Sequence, residues 1–295
     1  MLAPLTWSFT VILFKQSGDA SALSLNLFKN VVGMTLLVFT MVLGGIAYPT
    51  DRSAGDWVRL AVSGLLGLAV ADTLLFEGLR RVGASRLAII DTVYAPLVVL
   101  LSWVVLGEVL AGSFLWGAAA VVTGVVMASV RIGTPVAVEA GGQPVGSAAR
   151  ERLIGTLCCL GAICGTAVGV IIAKPALEGA NLVELTLTRL AAGVIGQLLW
   201  ILATGQAALA LSTFRPSPLW RTLVPGSILG PYVSLMLWLG GFKWANASVA
   251  AVLNQMATVY ILVLARVVLK ERLRPAQVIG ACVAAGGALW IVVGR

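Results

Sequence analysis

The chain has 295 residues, 59% of them hydrophobic and 11% charged, with a mean hydropathy of +1.01. A soluble domain carries about 25% charged residues, so a chain this apolar would expose large hydrophobic surfaces in water, and lipid is the solvent that fits it. The net charge of +8 does not point to nucleic acid, because the basic residues stand singly at the ends of apolar runs, and the absence of histidine excludes histidine bases and histidine-ligated zinc or haem.

About twenty apolar residues span a bilayer as helix. Apolar runs and their breakers predict ten helices, over 2–16, 23–46, 57–79, 84–106, 112–130, 153–173, 182–203, 220–240, 247–269 and 275–293. The breaks coincide with turn residues: SGDAS after Lys15, YPTDRSAGD before Trp57, GEVLAGS at 107–113 and KERLRP at 270–275. The N-terminus has no basic segment and no small-residue cleavage pattern, so the first helix is expected to stay. Cys158, Cys159, Cys164 and Cys282 lie within apolar runs and read as small hydrophobes. No metal or other cofactor is expected.

The two halves repeat. GLRRVGASRLAIIDTVYAPLVVLLSWVVLGEVL (78–110) aligns without gaps to GFKWANASVAAVLNQMATVYILVLARVVLKERL (241–273), matching Gly78 to Gly241, Ala88 to Ala251 and Glu108 to Glu271. Gly117 and Gly124 match Gly280 and Gly287 at the same offset. Lys15 matches Lys174, and Lys29 and Arg189 pair one residue out of step. The expected organisation is repeat one over 1–133, a Gly-, Pro- and Ala-rich linker over 134–152, and repeat two over 153–295. Five helices is an odd number, so the second copy must enter the bilayer from the opposite side. The predicted fold class is therefore an all-α integral membrane protein, about ten transmembrane helices arranged as two inverted five-helix repeats.

The stretches APLVVLLSWVVLGEVLAGSFLWGAAAVVTGVVM and NQMATVYILVLARVVLKERLRPAQVIGACVAAGGALWIV resemble the ends of the repeats in EamA-type members of the drug/metabolite transporter superfamily. The resemblance covers nearly the whole chain. It implies a secondary exporter or exchanger of small metabolites such as amino acids, not an enzyme, working by alternating access in a bacterial cytoplasmic (inner) membrane. Efflux of lipophilic cations or drugs is the competing transport reading, and Lys15 and Lys174 argue against it. An enzyme acting on lipid-linked substrates would need a catalytic cluster that the sequence does not show. With both termini cytoplasmic, as the resemblance implies, most loop Arg and Lys would lie outside, which the positive-inside rule disfavours.

Several residues are candidates for a cavity. Trp7 and Lys15 lie on the first helix, and Lys15 and Lys174, at matched helix ends, could meet anionic groups or snorkel to headgroups. Asp72 and Glu77 are about 140° apart on the third helix. The deeper Asp72 is the candidate for cavity lining and proton coupling, while Glu77 is expected to pair with Arg80 and Arg81. Asp91 and Tyr94 share a face of the fourth helix, matched by Asn254 and Gln255 on the ninth. Tyr232 and Trp238, with Trp7 and Trp103, could wall an aromatic pocket. Glu108 and Glu271 are read as structural acids at the start of the following helix. Pro96, replaced by Val259 in repeat two, suggests a kink in one half alone. The small-residue spacing of helices five and ten suits close packing, within the chain or in a homodimer.

Overall fold

The computed structural model describes residues 1–15, 20–49, 51–82, 87, 90–109, 112–129, 145–268 and 275–293. Among the described residues, ten apolar helical passes follow one another. Repeat one contains α1 (Leu2–Lys15), α2 (Ala22–Leu43), α3 (Ala54–Val82), α4 (Tyr94–Leu106) and α5 (Gly112–Ser129). Repeat two contains α6 (Val145–Ala173, ending in a tight turn at Lys174–Leu177), α7 (Leu182–Thr204), α8 (Trp220–Trp244), α9 (Ala247–Asn254, resuming as Met256–Val268) and α10 (Pro275–Val293). Helix α6 begins at Val145, inside the stretch read as linker. Its first turns, VGSAARER, contain the good helix formers Ala, Arg and Glu.

Packing follows the inverted repeat. Helices α2, α4 and α5 each lie against their own counterparts, α7, α9 and α10. The contact of α3 with α6 recurs as α8 with α1, and that of α4 with α6 recurs as α9 with α1. Apolar side chains such as Phe39, Leu43, Trp103, Val105, Trp116, Trp200 and Trp290 face outward, as lipid-facing residues do. Trp103, read as a pocket wall, is 62% exposed and belongs to this outer surface.

Small residues bring α5 and α10 together inside one chain. A Cβ on Gly124 would run into the backbone of Ala284 and Gly280, and one on Gly287 would meet Ala120 and Gly117. The glycine spacing is thus used within the protomer, and the outer faces of α5 and α10 carry Leu115, Trp116, Leu289 and Trp290. The homodimer suggested by these two helices has no support in this packing.

Helices α3 and α8 are both interrupted at matched positions. Each widens into a π-helical segment, Leu65–Ala71 in α3 and Ile228–Ser234 in α8, at the same offset that relates Gly78 to Gly241. Gly64 and Gly67 loosen the first, and Gly230 and Pro231 the second, with Pro231 also lacking the N–H of an ordinary turn. A turn at Thr92–Val93 separates α4 from the helical residues 90–91 before it, at the position matched to the break of α9 at Gln255. There Val93 N–H donates to Ile90 and Gln255 N–H to Val252, each three residues back. The break in α9 forms without a proline, so the expected one-sided kink at Pro96 is corrected. Pro96 itself stands exposed in the first turn of α4, where proline is tolerated.

Candidate functional site

The interior between the repeats is polar. On α2, Asn26, Lys29 and Asn30 share one face by helical spacing and are all buried. Asn26 Nδ2 donates to the Leu68 carbonyl at 2.9 Å and Asn30 Nδ2 to the same carbonyl at 3.2 Å, so the two amides converge on the backbone of the π segment of α3. Asn26 also donates to the Thr73 hydroxyl at 2.9 Å, and Asn30 to Oε1 of Gln197 on α7 at 3.2 Å. Lys29 Nζ donates to Asp72 at 2.7 Å and to Asn30 at 2.9 Å, and lies 5.8 Å from the Phe76 ring centre. Asp72 is therefore the counter-ion of a buried lysine.

Arg189 is set differently. Its residue is 2% exposed, and its backbone lies so close to α3 that a Cβ on Gly64 would collide with the Arg189 carbonyl. The guanidinium stands 5.5 Å from the Trp238 ring centre and beside Gly67 of the π segment. Among the described residues, Nε and Nη1 of Arg189 have no acceptor. The buried Tyr94 hydroxyl, next to the Trp238 indole, is also without a partner at bonding distance. From α9, Gln255 Nε2 reaches the Asp91 carbonyl at 3.0 Å, joining α4 to α9, while its Oε1 stays unbonded. Unpaired charge inside a bilayer costs at least ~2.5 kcal/mol, so a buried arginine of this kind marks a place where an anion is welcome.

Both ends of the interior are bridged between repeats. At the end near the termini, Arg52 binds both oxygens of Glu184, and Tyr48 meets Thr188 at 2.9 Å. At the other end Ser24 of α2 makes a short hydrogen bond with Thr213, whose carbonyl accepts from Trp220 Nε1 at 2.9 Å.

The structure brings Asp72, Asp91, Tyr94, Trp238 and Gln255 towards this interior, and sets other candidates elsewhere. Lys174 Nζ donates to the carbonyls of Phe242 and Ala245, while Lys243 Nζ donates to those of Leu177 and Ala180 at 2.8 and 2.7 Å. The two lysines thus cap the ends of each other's helices, where carbonyl dipoles favour a cation. Tyr232 gives its hydroxyl to a 2.6 Å bond with Thr40. Trp7 and Asn254 are half-buried. Glu108 accepts from the N–H of Ala247 and of Ser248 and from the Ser248 hydroxyl, capping α9 of the opposite repeat rather than the α5 that follows it. Glu77 pairs with Arg80 at 2.9 Å and Arg81 at 2.6 Å. Glu271 and the side chain of Lys15 lie outside the described residues. Asn26, Asn30 and Gln197 are absent from the candidates read from the sequence, although polar residues one turn apart inside an apolar run are themselves a signal.

This fold and its polar midline define an integral membrane protein of the transporter type, two inverted repeats around a shared interior. Residues 1–130 and 153–293 match the EamA-like transporter family, and the chain belongs to that family. A crystal structure of a protein aligns with 100% of this chain and 96% of its own, at 19% identity and a TM-score of 0.76, a likeness of fold alone. No curated protein matches the chain.

Proposed function

We propose that this protein is a secondary transporter of the bacterial cytoplasmic membrane that exports or exchanges small metabolites such as amino acids by alternating access. The observation that carries the reading is the matched interruption of α3 and α8, and of α4 and α9, around one polar interior. Discontinuous helices at the interface of inverted repeats are where such carriers bind their solutes. Rocking one repeat against the other would open the Ser24–Thr213 end or the Arg52–Glu184 end in turn. Asp72 remains the proton-coupling candidate, and coupling through it requires its pair with Lys29 to open.

The test compares metabolites inside and outside cells that overproduce the protein with those of cells carrying empty vector. Accumulation of one class of small solute outside supports export. No change on either side of the membrane, under any imposed gradient, contradicts transport.

A further inference from the structure

We infer that the second repeat receives a single carboxylate of the transported solute on the Arg189 guanidinium, in the position that Asp72 fills beside Lys29 in the first repeat. The inference rests on the transporter reading and specifies the chemistry its site selects. Lys29 on α2 and Arg189 on α7 are matched cations, 3% and 2% exposed. Each stands over an aromatic ring of the following helix, Lys29 at 5.8 Å from Phe76 and Arg189 at 5.5 Å from Trp238. The first repeat supplies its own anion, Asp72, at 2.7 Å. At the repeat offset the second has Leu235, an apolar residue packed in the cluster that includes Leu187 and Leu190 on either side of Arg189. Among the described residues no carboxylate pairs with Arg189, and Asp91 is joined to the neighbouring helix through its backbone carbonyl instead.

The charge count sets the class of ligand. One cation without an acid calls for one negative charge. A dianionic phosphate would bring a second charge to a place where the other buried cation, Lys29, is already committed to Asp72. The buried Tyr94 hydroxyl adds an unbonded neutral donor to the same interior, and the Trp238 ring stands over the guanidinium. A planar carboxylate matches that arrangement of guanidinium donors.

The experiment uses proteoliposomes loaded with a cell metabolite extract, with released solutes identified by mass spectrometry. Wild type is compared with Leu235→Asp, Leu235→Asn, Arg189→Lys and Arg189→Gln. The expected result is that wild type releases carboxylate-bearing solutes and not their amides. Leu235→Asp, which supplies the missing acid, should cut that release on the order of tenfold below the level of the uncharged Leu235→Asn protein. Arg189→Lys should keep part of the release that Arg189→Gln loses. Release of solutes lacking any acid group at equal rates, or wild-type release from folded Leu235→Asp protein, overturns the inference. If Leu235→Asp does not fold, equal release by Arg189→Lys and Arg189→Gln overturns it as well. If no version releases anything, the transporter reading has failed, and binding then decides the anion site alone. A melting temperature raised by sodium hexanoate but not hexanamide, in wild type and not in Arg189→Gln, upholds the site, and no difference between the two probes removes it.

Discussion

Arg52, in the turn before α3, holds both carboxylate oxygens of Glu184 on α7 at 2.7 and 2.8 Å, with the two side chains only 8% and 2% exposed. The pair ties repeat one to repeat two at the end where the termini lie. Its guanidinium also stacks 5.1 Å from the Trp57 ring centre, and Trp57 in turn packs on Tyr48. The opposite end carries the hydroxyl contact of Ser24 with Thr213 and a more exposed ion pair of Arg81 with Glu151 at 2.6 Å, so the buried ion pair and the exposed one lie at different ends.

Removing one partner of a buried ion pair leaves the other charge stranded, at a cost of about 3–5 kcal/mol. Glu184→Gln should destabilise the folded protein by roughly that amount. Unfolding in detergent, followed by near-UV circular dichroism, measures it, and the loss should change little with added salt because the pair is shielded from water.

Asp72→Asn should cost a similar amount, since it strands Lys29 beneath the membrane surface, about 3–5 kcal/mol. The double variant Lys29→Met with Asp72→Leu should recover most of the lost folding yield. Size-exclusion profiles of the three proteins check both statements. A single variant as stable as wild type would mean that Lys29 and Asp72 are not a committed pair.

Glu108 occupies the N-terminus of α9, so Glu108→Ala should expose the N–H groups of Ala247 and Ser248 and cost about 1–2 kcal/mol. Hydrogen exchange should rise first in the opening turn of α9 and leave α5 unchanged, because α9 and not α5 is capped.

Gly124→Val should separate α5 from α10, for the added atoms meet the Ala284 and Gly280 backbone, at about 1–3 kcal/mol. The thermal midpoint should fall. The oligomeric state by light scattering should not change, because the glycine face is already occupied by a helix of the same chain.

Much of the architecture is legible in the sequence. Turn residues and apolar run lengths place most of the passes within a few residues, with the starts of α4 at Tyr94 and α6 at Val145 the larger departures from 84 and 153, and the gapless match of 78–110 with 241–273 implies the inversion. The interior is harder to read, because helices that are apolar all round do not announce which face turns inward. Asn26, Lys29 and Asn30 are polar residues on one face of an otherwise apolar α2, but the acceptor that Asn26 and Asn30 share, the Leu68 carbonyl, lies in a π segment that no sequence pattern reveals. Lys174 looks like a cavity cation until α8 is folded against it and offers the carbonyls of Phe242 and Ala245. Glu108 looks like the cap of the next helix, and only the three-dimensional arrangement gives it to α9. Arg189 is conspicuous in the sequence only as a repeat-mate of Lys29, and its missing counter-ion becomes visible once Leu235 is seen in the place matched to Asp72.

The most direct test of the central claim, that the repeats open their two ends alternately, is solute counterflow in proteoliposomes with one end locked. Ser24 and Thr213 lie within hydrogen-bonding distance of each other, so Ser24→Cys with Thr213→Cys can form a disulfide across that end, in a background with the four native cysteines replaced. The account predicts that oxidation stops counterflow and that reduction restores it. Undiminished counterflow with the disulfide fully formed would contradict alternating access through this interior.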